Sequence, residues 1–226
     1  MLEGLVADTA RVARDDARLF FTVASWLATH HALVDARALG RACASLGTDA
    51  SATTGALLAV AIDQAPTAAA LRAARGHCRP LRPSDRRALF TAYERRPALL
   101  ADMQGRALPL FLRWGFWHDE ITRKADAIRP VPWLLRHVPE MRLRALVGPG
   151  LDTAILEYVT RAGAHGGAQG GEPVTVASVA RSTGCAYASV HEAATRLVGR
   201  GLLAREPAGR RQRLTITPDA RAWLAA

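Results

Sequence analysis

The residues between 187 and 200 combine hydrogen-bonding side chains with a helical spacing. Val190, Ala194 and Leu197 recur at intervals of three and four, which predicts a helix with one buried face. The other face carries hydroxyl, imidazole, carboxylate and guanidinium groups, which can pair with the edges of bases in a major groove. The outward set is Tyr187, Ser189, His191, Glu192, Thr195, Arg196 and Arg200.

Arg196 offers the strongest single contact on this polar face. A guanidinium can bind the O6 and N7 atoms of guanine together, and such a contact is worth about 1 to 3 kcal/mol of discrimination. The alternative is that the helix is the solvated face of a domain that binds another protein. Both interpretations fit the same spacing.

A cationic hairpin is predicted after this helix. Residues 202–206 are apolar at the start, PAGRRQ is a turn signal, and 213–217 alternate with the period of a half-buried strand. A two-stranded ribbon can hold several cations against phosphates or a minor groove, unless its charges serve only solubility. The cations of the hairpin are Arg205, Arg210, Arg211 and Arg213.

Helices that could hold these two elements precede and follow them. Residues 151–162 form an amphipathic pattern, and a glycine-rich loop over 163–173 separates it from a short helix over 177–183. Thr175 can cap that short helix, and Gly184 ends it. A last helix opens at Thr217-Pro218, where the missing N–H of proline costs nothing.

The run TVASVARSTGCAYASVHEAATRLVGRGLLARE, continuing into RRQRLTITPDARAWL, resembles a winged helix-turn-helix domain of MarR-like or related bacterial transcription regulators. The resemblance covers about the last 76 residues. It implies binding to double-stranded DNA through the second helix and the wing, by a homodimer that reads two half-sites. Ala186 departs from the family, which has Ser or Thr at this cap, and the loop over 163–173 is longer than usual.

The fold class predicted for the chain is mainly α. Residues 1–148 form an all-α domain for dimerisation or signal reception, and residues 149–226 form the winged helix-turn-helix, with a boundary at Gly148-Pro149-Gly150. A first stripe runs from Leu5 through Val12 to Leu27. Further helices are expected over 35–46, 52–64, 67–76, 84–94, 96–113, 116–127 and 140–147.

One part of the N-terminal domain concentrates aromatic side chains, in LPLFLRWGFWHDE. Large rings bury much area and can form a subunit interface or line a ligand pocket, although core packing is the plainer interpretation. The rings are Phe111, Trp114, Phe116 and Trp117.

Composition narrows the class of protein. The formal net charge is +10, carried almost entirely by arginine, which favours a polyanionic partner. Cys43, Cys78 and Cys185 are far apart in the chain, so we expect neither a disulfide framework nor a zinc site, and a cytoplasmic location fits best. His191-Glu192 begins like HExxH, but Thr195 stands where the second histidine would be.

No stretch is apolar for long enough to predict a membrane span, and no cofactor is expected. The sequence therefore predicts a DNA-binding transcription regulator, a repressor rather than an activator, with no catalytic residues. Two alternatives stay open. One is an antitoxin-like or assembly protein whose winged helix binds a protein, and the other is an enzyme with a small-molecule site in the helical domain.

Overall fold

The computed structural model describes residues 2–166, 173–209 and 211–225. These residues are mainly helical, with a two-stranded antiparallel sheet near the C-terminus. The chain divides into two compact units, unit 1 over residues 1–131 and unit 2 over residues 132–226. Each unit has a hydrophobic core of its own.

Unit 1 is built from short helices around one long helix. Its α-helices are α1 (Leu2–Val12), α2 (Ala17–His30), α3 (Ala36–Ala44), α4 (Thr48–Gln64), α5 (Ala69–Arg75), α6 (Thr91–Glu94), α7 (Pro97–Arg106) and α8 (Pro109–Leu112). Its strands are β1 (Arg87–Ala88) and β2 (Phe116–Trp117). Three 3-10 helices join them, at His31–Leu33, Pro83–Asp85 and Ala125–Ala127.

Helix α4 lies at the centre of unit 1. Every residue from Ser51 to Ala61 is buried, and most of these residues are small, so neighbouring helices can approach closely on all sides. The hydroxyl groups of Thr53 and Thr54 donate to the carbonyl oxygens of Asp49 and Ala50, at 2.9 and 2.7 Å. These bonds satisfy polar atoms that burial would otherwise leave unpaired.

The stripe from Leu5 to Leu27 predicts one helix, but the structure has two helices over these residues. Helix α1 ends at Val12, and α2 begins after Asp16, whose carboxylate accepts from the backbone N–H of Leu19 at 3.0 Å. This cap starts a new helix with its own direction. The buried face of α1 is formed by Glu3, Val6, Ala7 and Ala10. Leu5 and Val12 lie outside this face and are exposed.

Three further helices predicted in unit 1 differ from those observed. The segment 84–94 is helical only at its ends, and 96–113 is interrupted before Pro109, which starts α8. The segment 116–127 is not an α-helix, because Gly115 turns the chain at a φ of 85° into the extended residues of β2. Strand β2 pairs with β1 in parallel, so the unit is not entirely helical.

Unit 2 begins earlier than the predicted boundary at residue 148. It contains α9 (Val131–His137), α10 (Pro139–Val147), α11 (Leu151–Gly166), α12 (Val176–Thr183), α13 (Tyr187–Gly199), β3 (Leu203–Ala208), β4 (Arg211–Ile216) and α14 (Pro218–Ala225).

Helix α10 belongs to unit 2 through packing and charge. Leu143 is 5% exposed and lies in the core of unit 2. Arg144, also buried, places its Nε atom 3.4 Å from a carboxylate oxygen of Glu157 on α11. Gly148, at a φ of 82°, ends α10 as predicted, but this turn lies inside unit 2 rather than between the units.

Candidate nucleic-acid interface

The residues at the ends of helices α12 and α13 determine where each helix begins and ends. Thr175 accepts from the N–H of Ser178 at 3.2 Å, and the Ser178 hydroxyl accepts from the N–H of Thr175 at 2.9 Å, which confirms the predicted cap. Gly184 ends α12 in the left-handed conformation, at a φ of 66°. Helix α13 starts after Ala186, which offers no side-chain cap. A short turn therefore fixes the angle between the two helices.

The inner face of α13 packs into the core of unit 2. Val190, Ala193, Ala194 and Leu197 are all fully buried. They belong to one cluster with Ile155 of α11. The opposite face is consequently turned to solvent, as the spacing predicts. Its exposed members are Tyr187, Ser189, His191, Glu192, Thr195, Arg196 and Arg200.

Two rings lie side by side at the start of α13. The side chains of Tyr187 and His191 are stacked, with ring centroids 6.1 Å apart and planes at 18°. Tyr187 is 58% exposed, so its ring is accessible from solvent. The stack gives this end of the helix a flat, partly apolar surface with hydrogen-bonding atoms at its edge.

Arg196 is held by a carboxylate from another helix. Its Nη2 atom lies 2.8 Å from Oδ1 of Asp152, in the first turn of α11. The Arg196 side chain is 58% exposed, whereas that of Asp152 is 17% exposed. The guanidinium is thus fixed on one side and open to solvent on the other.

Arg205 lies on β3 but turns towards α13. Its Nη2 atom donates to Oγ1 of Thr195 at 2.7 Å, and Thr195 in turn donates to the carbonyl oxygen of His191 at 2.8 Å. The side chain is half-buried, and its Nε atom has no partner among the described residues. Arg205 therefore joins the hairpin to α13 rather than extending from the hairpin surface.

The hairpin pairs Arg213 with an acidic residue. In the register of β3 and β4, Glu206 lies opposite Arg213, and their side chains meet at 2.6 Å. The Arg213 hydrogen bond holds the pKa of Glu206 below its ordinary value, and a second bond from Thr215 acts in the same direction. Both side chains remain about half exposed.

The remaining cations of the predicted wing are only partly described. Arg211 begins β4 and pairs with Ala208 across the hairpin. The predictions for the Arg211 side chain and for Arg210 lie outside the described residues.

The predicted aromatic set lies in unit 1 and packs inward. Phe111 and Phe116 are fully buried, so they do not line an accessible pocket. The ring of Trp114 lies against α4 at Gly55, where an added Cβ would meet ring carbon Cζ3 at 2.2 Å. Trp117 is half-buried in β2. Phe111, Phe116 and Trp114 thus pack with the core of unit 1, as the core-packing alternative predicts.

Two cysteines separated in the sequence meet in unit 1. Their mutual hydrogen bonding raises the pKa of the Cys78 thiol, as burial also does, and lowers the pKa of the Cys43 thiol. Within the described ranges, no three His, Cys, Asp or Glu side chains are grouped so that they could hold a metal ion. Over those same ranges, no helix combines the length and apolar character that crossing a bilayer requires.

Two carboxylates that contact the candidate residues are not revealed by spacing alone. Glu206 follows from the hairpin register, since residues on facing strands pair once the turn is known. Asp152 is 44 residues from Arg196, and no local pattern connects them.

In comparisons with known proteins, no family model matches the chain, and no match was found among curated proteins or among solved structures.

Proposed function

We propose that this chain is a sequence-specific DNA-binding transcription regulator, a repressor that acts as a homodimer. In this proposal α11 to α14 and the hairpin form a winged helix-turn-helix. Helix α13 enters the major groove as the recognition helix, and the hairpin of β3 and β4 contacts the backbone or the minor groove as the wing. Unit 1 serves dimerisation or signal reception.

The observation that carries the proposal is the exposed polar face of α13. This face is presented by a helix whose other side is fully buried, so its orientation is rigid. A helix held in this way can approach base edges without the cost of ordering its backbone on binding. The net charge of +10 supports a polyanionic partner.

A selection of bound fragments from random duplex DNA, performed with the whole chain at two salt concentrations, tests the proposal. We expect one enriched sequence with two related halves, separated by about one helical turn if a dimer binds. Affinity should fall steeply with salt, since each phosphate contact adds about 0.9 to the slope of log K against log salt. Failure to enrich any sequence, together with a flat salt dependence, would refute the regulator proposal.

Charge-removal variants separate wing contacts from general electrostatics. The variant Arg210→Ala, Arg211→Ala, Arg213→Ala should weaken binding to all sequences and flatten the salt slope. The matched control removes three exposed arginines of unit 1: Arg11→Ala, Arg37→Ala and Arg41→Ala. Equal effects of the two variants would argue against a specific role for the wing.

A protein partner is the second candidate, favoured by one apolar groove in unit 2. The groove has a volume of about 520 Å³ and contains Leu146 and Trp223, each 43% exposed. Exposed large apolar side chains in one groove are typical of contact surfaces. Recovery of a stoichiometric protein partner without nucleic acid, from cells that express the chain, would favour this candidate over DNA binding.

A further inference from the structure

The pair between Asp152 and Arg196 gives the polar face of α13 a property that a lone arginine lacks. A free arginine binds phosphate oxygens and guanine alike, because both accept its hydrogen bonds and the phosphate also attracts its charge. Affinity for phosphate adds nothing to sequence discrimination. An arginine that is to read a base must therefore be directed to it and made less attractive to the backbone.

Asp152 meets both requirements through its position. Its carboxylate lies 2.8 Å from Nη2 of Arg196, which neutralises the cation locally and fixes the end of a long side chain. An arginine carries about 2 kcal/mol of rotamer entropy, so fixing it in advance lowers the cost of a later contact. A guanidinium has five N–H donors, and one of them is used by this 2.8 Å contact. The exposed edge keeps donors for the two acceptors of guanine.

Arg200 provides the contrast on the same helix. It lies at the C-terminal end of α13, is exposed, and pairs with no carboxylate among the described residues. Its charge is not neutralised, so phosphate attraction acts on it in full. The two arginines thus differ in their surroundings rather than in chemistry, and different roles follow.

We propose that Asp152 is a specificity-determining positioning residue, which holds Arg196 for bidentate contact with guanine and reduces its attraction to phosphate. Arg200 supplies sequence-independent phosphate contact. This inference rests on the proposed function and extends it from a helix face to one base and one buttressing carboxylate.

Asp152→Asn in the full chain tests the inference. Asparagine keeps the size of the side chain and removes its charge, so Arg196 becomes available to phosphate. We measure the affinity for the selected duplex and for a scrambled duplex of equal length. The ratio of the two affinities should fall on the order of 10-fold, the loss expected for one bidentate contact. The salt slope on scrambled DNA should steepen by about 0.9.

Asp219→Asn is the matched control. It removes the same charge from an exposed position on α14 in the same unit. We expect this control to leave the affinity ratio and the preferred sequence unchanged. If it reproduced the effect of Asp152→Asn, a general change in net charge would explain the result and the inference would be overturned.

A double variant distinguishes positioning from structural support. Once Arg196 is alanine, Asp152→Asn should no longer change base preference, whereas a merely structural role would lower affinity additively. Asp152→Glu should restore part of the affinity ratio, and urea unfolding should show that each variant is folded.

The outcomes separate the inference from the proposed function. Wild-type protein that selects a sequence, with an Asp152→Asn variant of unchanged ratio and preference, would overturn the inference alone. Wild-type protein without measurable DNA binding at low salt would overturn both. A guanine preference lost in Asp152→Asn and in Arg196→Ala at the same base position would establish the inference.

Discussion

Gly55 leaves room on α4 for the ring of Trp114. We predict that Gly55→Ala destabilises unit 1, because the new Cβ would lie 2.2 Å from ring carbon Cζ3. Overpacking of this kind costs about 1 to 3 kcal/mol. The free energy of unfolding, measured in urea, checks the size of the loss. Combining the change with Trp114→Leu should recover part of it, and a double variant as unstable as the sum of the single variants would contradict this packing.

His118 is buried among aromatic rings. We predict that the free energy of unfolding depends on pH because of this burial. Phe90 and Phe111 lie at ring distances of 5.0 and 5.1 Å, and neither ring nitrogen of His118 has a partner among the described residues. Burial lowers the pKa of His118, although the neighbouring Asp119 and Glu120 act in the opposite direction.

The sign of the pH effect follows from this shift. In the unfolded chain, histidine titrates near a pKa of about 6.5. As the pH falls below that value, the unfolded chain takes up a proton that the folded chain does not, so the free energy of unfolding decreases. It should be constant well above that range. His30, whose pKa burial also lowers, contributes in the same direction.

Urea unfolding at about pH 5 and about pH 8 measures this dependence on either side of the unfolded pKa. His118→Phe should reduce the difference between the two conditions. The control His31→Gln changes a more exposed histidine and should leave the difference unchanged. A pH dependence that persists in full in His118→Phe would assign it to other groups.

At the scale of elements, the ends of α12 and α13 differ in how they are capped. Thr175→Ala should cost about 1 kcal/mol, because it removes the acceptor for the N–H of Ser178. Ala186→Ser should stabilise unit 2 by about 1 kcal/mol, since a hydroxyl would then accept from the uncapped start of α13. Thermal unfolding monitored by circular dichroism measures both changes. Equal melting temperatures for the two variants would contradict the capping argument.

Periodicity in the sequence predicts the faces of elements better than their partners. The inward side of α13 follows from the spacing of Val190 and Leu197, because a helix brings residues three and four apart to one side. The contact between Asp152 and Arg196 depends on the packing of α11 against α13, which no local rule contains. The sequence predicts Arg205 as a wing cation, yet in the structure Arg205 donates to Thr195, since β3 passes close to α13.

At the scale of the molecule, turn residues predict where a helix ends but not where a unit ends. Gly148 adopts a positive φ of 82°, as the end of a helix favours. The core of unit 2 nevertheless includes Leu143, which precedes that stop. Burial, which decides the division between units, depends on contacts that become visible only in three dimensions.

Two fragments test the division. We predict that residues 132–226 fold more stably than residues 149–226, because the shorter fragment lacks Leu143 and Arg144. Burial of one leucine side chain contributes about 1.5 to 3 kcal/mol. Urea midpoints measure the difference, and Leu143→Ala in the longer fragment should lie between the two. Identical midpoints for the two fragments would place the boundary at residue 148 after all.

The enclosure of α4 has a consequence for how unit 1 can be observed. No stretch of this helix between Ser51 and Ala61 can fray while its neighbours stay in place, since every residue there is covered. Its amide protons should therefore exchange with deuterium only when the whole unit opens. The exchange rate of these amide protons would therefore decrease when a ligand binds and stabilises unit 1.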